Sequence, residues 1–378
     1  MTDQTSHSGH HVSAYHAPNE DVFGANAVRL SPKQCVIAVV ILIALYILLP
    51  AIWKRIEPLN PGADYRIPYA LSEDYWLYAR YAEDVTKTST IPLVGDSVIW
   101  GQYVESDETL SHALNNNLGS PQFVNLGLNG SHPVALAGLL KHFGSGIRNS
   151  KVVLHYNPLW TTSKRRDLQG EKASSFNHPQ LVPQFYPRIP IYDASGAQRL
   201  SRAIDCRVPF LSWTEHLRKV YFQNESLTNW TLENPYKNPI AAISLILPEP
   251  EPGTPSPPIP WTDKDASLQS FEWVKPSESL QWEFLKKSLT TLRSRGNTVF
   301  VLVGPFNEHM LTDESRTAFS NIRTEMETWL VQNEVEHFAP PPLPSKLYAD
   351  ASHPIAEGYT LLAHALVEND SFRTFLTR

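Results

Sequence analysis

The chain has 378 residues, 42% hydrophobic and 19% charged, with 31 Pro, 17 Gly and 2 Cys. That length provides for one large domain or two small ones with a sizeable buried core. A net charge of −6 leaves no basic footprint and argues against nucleic acid as a partner; two cysteines exclude a disulfide framework and a Cys-rich zinc or iron–sulfur site.

In chain order, residues 1–34 form a polar N-terminal tail without periodicity, carrying His7, His10 and His11. Residues 35–53, CVIAVVILIALYILLPAIW, contain no charge. As a helix they rise about 28 Å, close to the hydrocarbon thickness of a bilayer. Lys33 precedes the run and Lys54 and Arg55 follow it, with Trp53 suited to an interface. The expectation is one transmembrane helix over 35–53 and a single-pass protein. The basic residues on the two sides nearly balance, so they do not choose an orientation. Residues 54–89 read as a juxtamembrane stem containing a short aromatic helix.

From 90 an α/β rhythm begins. TIPLVGDS is a strand entering a tight turn, a helix covers 105–119 up to Gly119, and PQFVNLG is a second strand. A helix starts near Pro133, and KVVLHYN is a third strand. The rhythm then stops over about 158–275. That segment holds five of the ten Trp and the proline-dense PEPEPGTPSPPIP (248–260), which suits only an extended connection. It is predicted to be an irregular insertion forming a wall or lid. A helix, a strand NTVFVLVGPF, another helix, a short strand VEHFA and a last helix HPIAEGYTLLAHALVE, which Pro354 can start, complete the pattern. Five parallel strands covered on both faces by helices are expected within a domain spanning 90–378.

Four segments carry chemistry. In VGDSVIWG, Ser97 falls at the carboxyl end of a parallel strand, where open α/β sheets place ligands. In YADASHP, Asp350 lies three residues before His353, close enough to orient the imidazole toward a serine. In NLGLNGSHP, Gly130 lies in the loop after the second strand, and in HYNPLW, Asn157 ends the third. Both loops leave the same sheet edge as Ser97, so the Gly130 N–H and the Asn157 amide are candidate donors to an oxyanion. The loop GPFNEH places Asn307 on that edge as well.

Together these segments resemble the SGNH (GDSL) hydrolase family: GDSVIWG its first block, NLGLNG its second, and DASHP with Gly358-Tyr359 its fifth. The third block departs, reading His155-Tyr156-Asn157-Pro158 where the family has Gly-x-Asn-Asp. The resemblance covers about 90–157 and 276–370. It implies a three-layer α/β/α flavodoxin-like fold and ester chemistry without cofactor or metal. Ser97 would be the nucleophile, His353 the general base and Asp350 its orienting partner; the N–H groups of Ser97 and Gly130, with Asn157, would form the oxyanion hole. The layout of anchor, early serine and late Asp/His is also similar to the D-alanine transfer protein of teichoic-acid modification. The expectation is a membrane-anchored serine esterase with an extracytoplasmic soluble part, acting on acylated envelope carbohydrate or lipid. The alternatives are an O-acyltransferase with the same triad, which brings in a membrane acyl-donor protein as partner, and a non-catalytic envelope scaffold.

Overall fold

A computed structural model describes residues 30–249 and 258–378. The histidines of the tail and residues 250–257 of the proline-dense stretch lie outside the described residues. The chain divides into two units, residues 1–46 and 47–378. Helix α1 (Pro32–Ile56) runs through the boundary. Its apolar side chains from Val36 to Leu48 are almost all exposed, and it is long and apolar enough to cross a membrane.

The second unit is α/β. Its elements are α2 (Tyr75–Lys87), β1 (Ile91–Gly95), α3 (Ser97–Trp100), α4 (Leu110–Leu118), β2 (Phe123–Gly127), α5 (Pro133–His142) and β3 (Lys151–Tyr156). There follow α6 (Gly196–Asp205), α7 (Pro209–Tyr221), α8 (Leu227–Glu233), α9 (Pro239–Ala242), α10 (Leu280–Arg293), β4 (Thr298–Val303), α11 (Asp313–Gln332), β5 (Glu336–Phe338), α12 (Ala356–Glu368) and α13 (Asp370–Thr377). All strand pairs are parallel, in the order β2-β1-β3-β4-β5. The chain therefore winds outward in both directions from β1 and β3, which leaves a crevice beyond their carboxyl ends.

Alternation along the strands builds two cores. Val94, Val152, Leu154, Val299 and Val301 face one way, onto α2, α5, α10 and α11. Leu93, Val153, Phe300 and Leu302 face the other, onto α3, α4, α12 and α13. Successive side chains of a strand point to opposite faces, and burial on both explains the unbroken apolar runs.

Three elements differ from the sequence reading. The stretch 54–89 is more than a stem: Leu77, Tyr78 and Tyr81 of α2 are buried in the first core. The insertion is less irregular than expected, because it contains α6 to α9. Ser195 and Gln198 form a reciprocal cap at the start of α6, and Pro209 occupies the first turn of α7. Finally, α12 starts at Ala356 rather than at Pro354. Pro354 is bridged to Tyr348, and the Ile355 N–H donates to Leu347 O (2.9 Å), which keeps this segment extended. Both cysteines are free thiols.

Candidate active site

The site grows from the end of β1. Gly95 is needed there for space. A Cβ would lie 2.5 Å from Ile99 Cγ1 and 2.8 Å from His155 Cβ, so only glycine lets β1 pass between α3 and β3. Asp96 then caps α3 by accepting the Val98 N–H (3.0 Å), and Ser97 occupies the first helical position. Its N–H is one of the helix donors with no acceptor inside the helix.

The partner imidazole arrives from 256 residues downstream. Tyr359, Leu362 and Ala363 of α12 share an apolar core with Val98 and Ile99 of α3 and Leu110 and Leu114 of α4. The Tyr359 hydroxyl donates to Val98 O (2.6 Å), fastening α12 to the serine helix. The loop preceding α12 thereby meets the loop following β1.

Within that loop Asp350 Oδ1 accepts the N–H groups of Ser352 and His353, each at 3.0 Å. This tight turn is the physical content of the Asp-x-x-His spacing: it brings the His353 ring over the carboxylate. Nδ1 of His353 lies 2.8 and 2.9 Å from the two carboxylate oxygens and Nε2 lies 2.8 Å from Ser97 Oγ. With Nδ1 donating to Asp350, Nε2 is the acceptor for the serine hydroxyl. Ser97, His353 and Asp350 thus form one continuous chain of hydrogen bonds.

Burial by itself would raise the Asp350 carboxyl, but the His353 ring and the two N–H groups hold it down at about 2. Burial works against protonating His353; the adjoining Asp350 carboxylate and, further off, Asp96 outweigh it and raise its pKa above the ordinary histidine value. The Tyr103 ring meets the imidazole edge-on, 5.5 Å between centroids, from a left-handed backbone (φ 75°). No local sequence signal marks Tyr103 as a neighbour of the site.

Asn157 lies at the centre of the assembly, but its amide hydrogens are engaged. Nδ2 donates to Asp96 Oδ2 (2.9 Å) and Ser352 Oγ (3.1 Å), while Oδ1 accepts the Leu159 N–H (3.0 Å). As placed, Asn157 ties the serine loop to the histidine loop, and acting as an oxyanion donor would cost one of these bonds. Asn307 supports the same region: its N–H donates to Ala351 O at 2.8 Å.

The residue that sequence reasoning passed over is Asp96. It is buried and accepts from Val98 N, Asn157 Nδ2 and, at 2.9 Å, Trp160 Nε1. Burial would raise its carboxyl; His155, the Val98 N–H and His353 hold it down at about 2. Its position inside the GDS triplet was the available signal. Asp96→Asn would turn an acceptor into an amide facing two donors, leaving a buried donor unpaired at about 1–3 kcal/mol. The expected result is slower covalent labelling of Ser97 by a fluorophosphonate, by about tenfold; an unchanged labelling rate would show that Asp96 does not hold the serine in place.

Gly130 adopts φ +71°, and a Cβ there would fall 2.5 Å from Asn177 Nδ2. The Leu128 N–H donates to Gly95 O (3.0 Å), so the Gly130 loop departs beside the serine loop. Among the described residues no acceptor takes the N–H of Ser97 or of Gly130. Gly130→Ala is expected to cost about 1–2 kcal/mol for the left-handed conformation, measured by denaturant unfolding of the full chain in detergent.

Neighbouring these residues is a cleft of about 530 Å³, walled by Trp160, His132, Phe176, Asn177, Arg166 and Phe271 among others, with none of Ser97, His353 and Asp350 in its lining. It adjoins the site through Trp160, bonded to Asp96, and through Asn177, packed on Gly130. No group of His, Cys, Asp or Glu that could hold a metal ion occurs among the described residues. Arranged this way, a hydroxyl, an oriented imidazole and two unpaired N–H groups can form and resolve an acyl-serine. No protein-family model matches the chain, and no curated protein matches it.

Proposed function

We propose that this protein is a membrane-anchored serine esterase of SGNH type that acts on acylated envelope carbohydrate or lipid. The observation that carries the reading is the chain Ser97 Oγ, His353 Nε2, His353 Nδ1, Asp350, with 2.8 Å at each end. The strand order is that of flavodoxin-like doubly wound sheets, which supports the SGNH resemblance.

In the proposed reaction, Ser97 Oγ bonds to the ester carbonyl carbon as its proton passes to His353 Nε2. The carbonyl oxygen takes the negative charge and faces the N–H groups of Ser97 and Gly130. His353 returns the proton to the alcohol oxygen, the C–O bond breaks, and an acyl-serine remains. Water, deprotonated by His353, attacks that ester; the bond from the acyl carbon to Ser97 Oγ breaks as His353 returns the proton to Oγ, and the carboxylic acid leaves. Asp350 keeps the imidazole in the tautomer each step needs and stabilises its cationic form.

The anchor is helix α1, followed at its end by Lys54 and Arg55. Leu232 (75%), Tyr236, Ile240 (78%) and Ile246 (72%) are exposed in the segment that contributes Trp230, Ala242 and Ile243 to one apolar cluster with Trp53. Exposed apolar side chains in that segment suit a membrane boundary, which supports placing the body at a membrane. The test is a fluorophosphonate probe on the full chain in detergent, with the adduct located by peptide mapping. Labelling at Ser97 supports an acyl-serine enzyme; no labelling at Ser97 favours a non-catalytic scaffold.

A further inference from the structure

We infer that the cleft beside Ser97 binds the anionic group of its substrate, so that the preferred ester belongs to a sugar unit bearing a carboxylate or phosphate. This deepens the esterase reading and rests on it. The argument starts from charge. The whole chain carries −6, yet the cleft lining contains two arginines, Arg165 and Arg166, and no Asp or Glu. His132 adds no charge of its own, because burial keeps it neutral and lowers its pKa to about 3.

The guanidinium groups are free to take a ligand. Arg166 gives one hydrogen bond, from Nη1 to Thr162 Oγ1 at 3.0 Å, and its cation stands 6.0 Å from the Phe271 ring. Among the described residues no carboxylate lies within 4.0 Å of either arginine. Burial works against the Arg166 charge and lowers its pKa, and the Asp350 carboxylate acts on it in the opposite sense. Asp350 itself is committed to His353 and to two backbone N–H groups.

The remaining walls suit a sugar ring. Trp160, His132 and Phe176 form a run of edge-on contacts, 5.6 and 5.7 Å between centroids, with Phe271 also lining the cleft. Aromatic faces cover the apolar side of a ring, and planar guanidinium forks match carboxylate and phosphate oxygens. A cleft lined by one sign of charge also concentrates ligands of the other. The volume lies within the range of small-molecule sites, about 300–1,000 Å³.

The experiment compares three acetyl esters on the full chain in detergent at low salt: O-acetylated methyl glucoside, methyl glucuronoside, and methyl glucoside 6-phosphate. The expected kcat/KM for at least one anionic ester exceeds that for the neutral one by about tenfold or more. The carboxylate and phosphate arms identify which anion is preferred. In a doubly substituted chain, Arg165→Gln with Arg166→Gln, the anionic-over-neutral ratio falls toward one, chiefly through KM, and added salt erodes the wild-type ratio. Because the ratio cancels general damage, a merely structural role for the arginines would leave it unchanged. An absent preference in the wild type, or one untouched by the double substitution, overturns the inference while leaving the esterase standing. Should no ester be turned over, binding of a deacetylated oligoglucuronate and of glucose 6-phosphate, followed by Trp fluorescence, decides it. Equal affinity of both ligands for wild type and double variant, or no binding, refutes the anion site independently of catalysis.

Discussion

Ser97→Ala is expected to lower kcat on an activated acetate ester by at least about 10⁴-fold, because nothing else in the site supplies the nucleophile. Asp350→Asn should lower it by about 10³–10⁴-fold. The amide presents an N–H where His353 Nδ1–H now donates, so the ring is held in the wrong tautomer and its cation loses a counter-charge. The two variants separate through the probe: Ser97→Ala does not label at all, whereas Asp350→Asn labels slowly at Ser97. The pH profile follows from the direction of the His353 shift. The base works only when unprotonated, and Asp350 and Asp96 raise its pKa. Activity should therefore rise with pH through that raised value and then level off. In Asp350→Asn the rise should move to lower pH as the carboxylate's contribution is removed. A rise that stays in place, or near-wild-type turnover by Ser97→Ala, would sink the proposed mechanism.

Glu57→Ala should be the most destabilising single change outside the site, at about 3–5 kcal/mol. Glu57 follows α1 and is buried among groups from α2 and α7. It accepts from Trp53 Nε1 (3.1 Å), pairs with Arg80 and the Tyr221 hydroxyl, and lies 3.0 Å from His216 Nε2. His216 Nδ1 is 2.6 Å from Asp74, whose other oxygen caps α2 by accepting Leu77 N. Two carboxylates and two cations thus neutralise one another away from water. Removing Glu57 leaves Arg80 without its carboxylate and His216 Nε2 without an acceptor, with Asp74 alone facing two buried cations, and that desolvation cost gives the expected size.

The same network sets a dependence on pH. Burial opposes the His216 cation, but Asp74 and Glu57 lift its pKa from 6.5 to about 9. A raised pKa means that the folded state holds the proton more tightly, so this stabilisation is complete below 6.5 and fades as pH climbs through about 9. For Glu57, burial would raise the carboxyl, yet His216, Tyr221 and Arg80 bring it down to about 2, so its contribution holds above 4.5 and is lost toward 2. The unfolding midpoint should fall between pH 7 and 9 in the wild type and fall less in Glu57→Ala. A cost below about 1 kcal/mol, or an unaltered slope, would show that the network adds nothing.

The legible parts of the molecule were those with local causes. Unbroken apolar runs such as IPLVG and TVFVLV mark strands buried on both faces, and Gly119 and Pro133 punctuate helices where expected. Asp350 and His353 were legible as a pair because three residues span one tight turn, and Ser97 because it follows an apolar strand at the carboxyl end, where open α/β sheets place ligands. Asp96 went unread as a hub because its partners, Asn157 and Trp160, come from a different strand end. The helices of the insertion are short and set among prolines, which breaks up their apolar periodicity, although Ser195 and Gln198 announce the first of them.

By itself the amino-acid order determined which segments become strands and helices, where an apolar span runs, and which side chains carry reactive groups, since each depends on neighbours a few residues away. Only the tertiary structure decided that Asn157 spends its amide on Asp96 and Ser352, that α2 packs into the core, and that Arg165 and Arg166 line one cleft with Trp160 and Asn177. Those outcomes depend on groups distant along the chain sharing one buried volume, where every donor must find an acceptor and every charge a counter-charge or water.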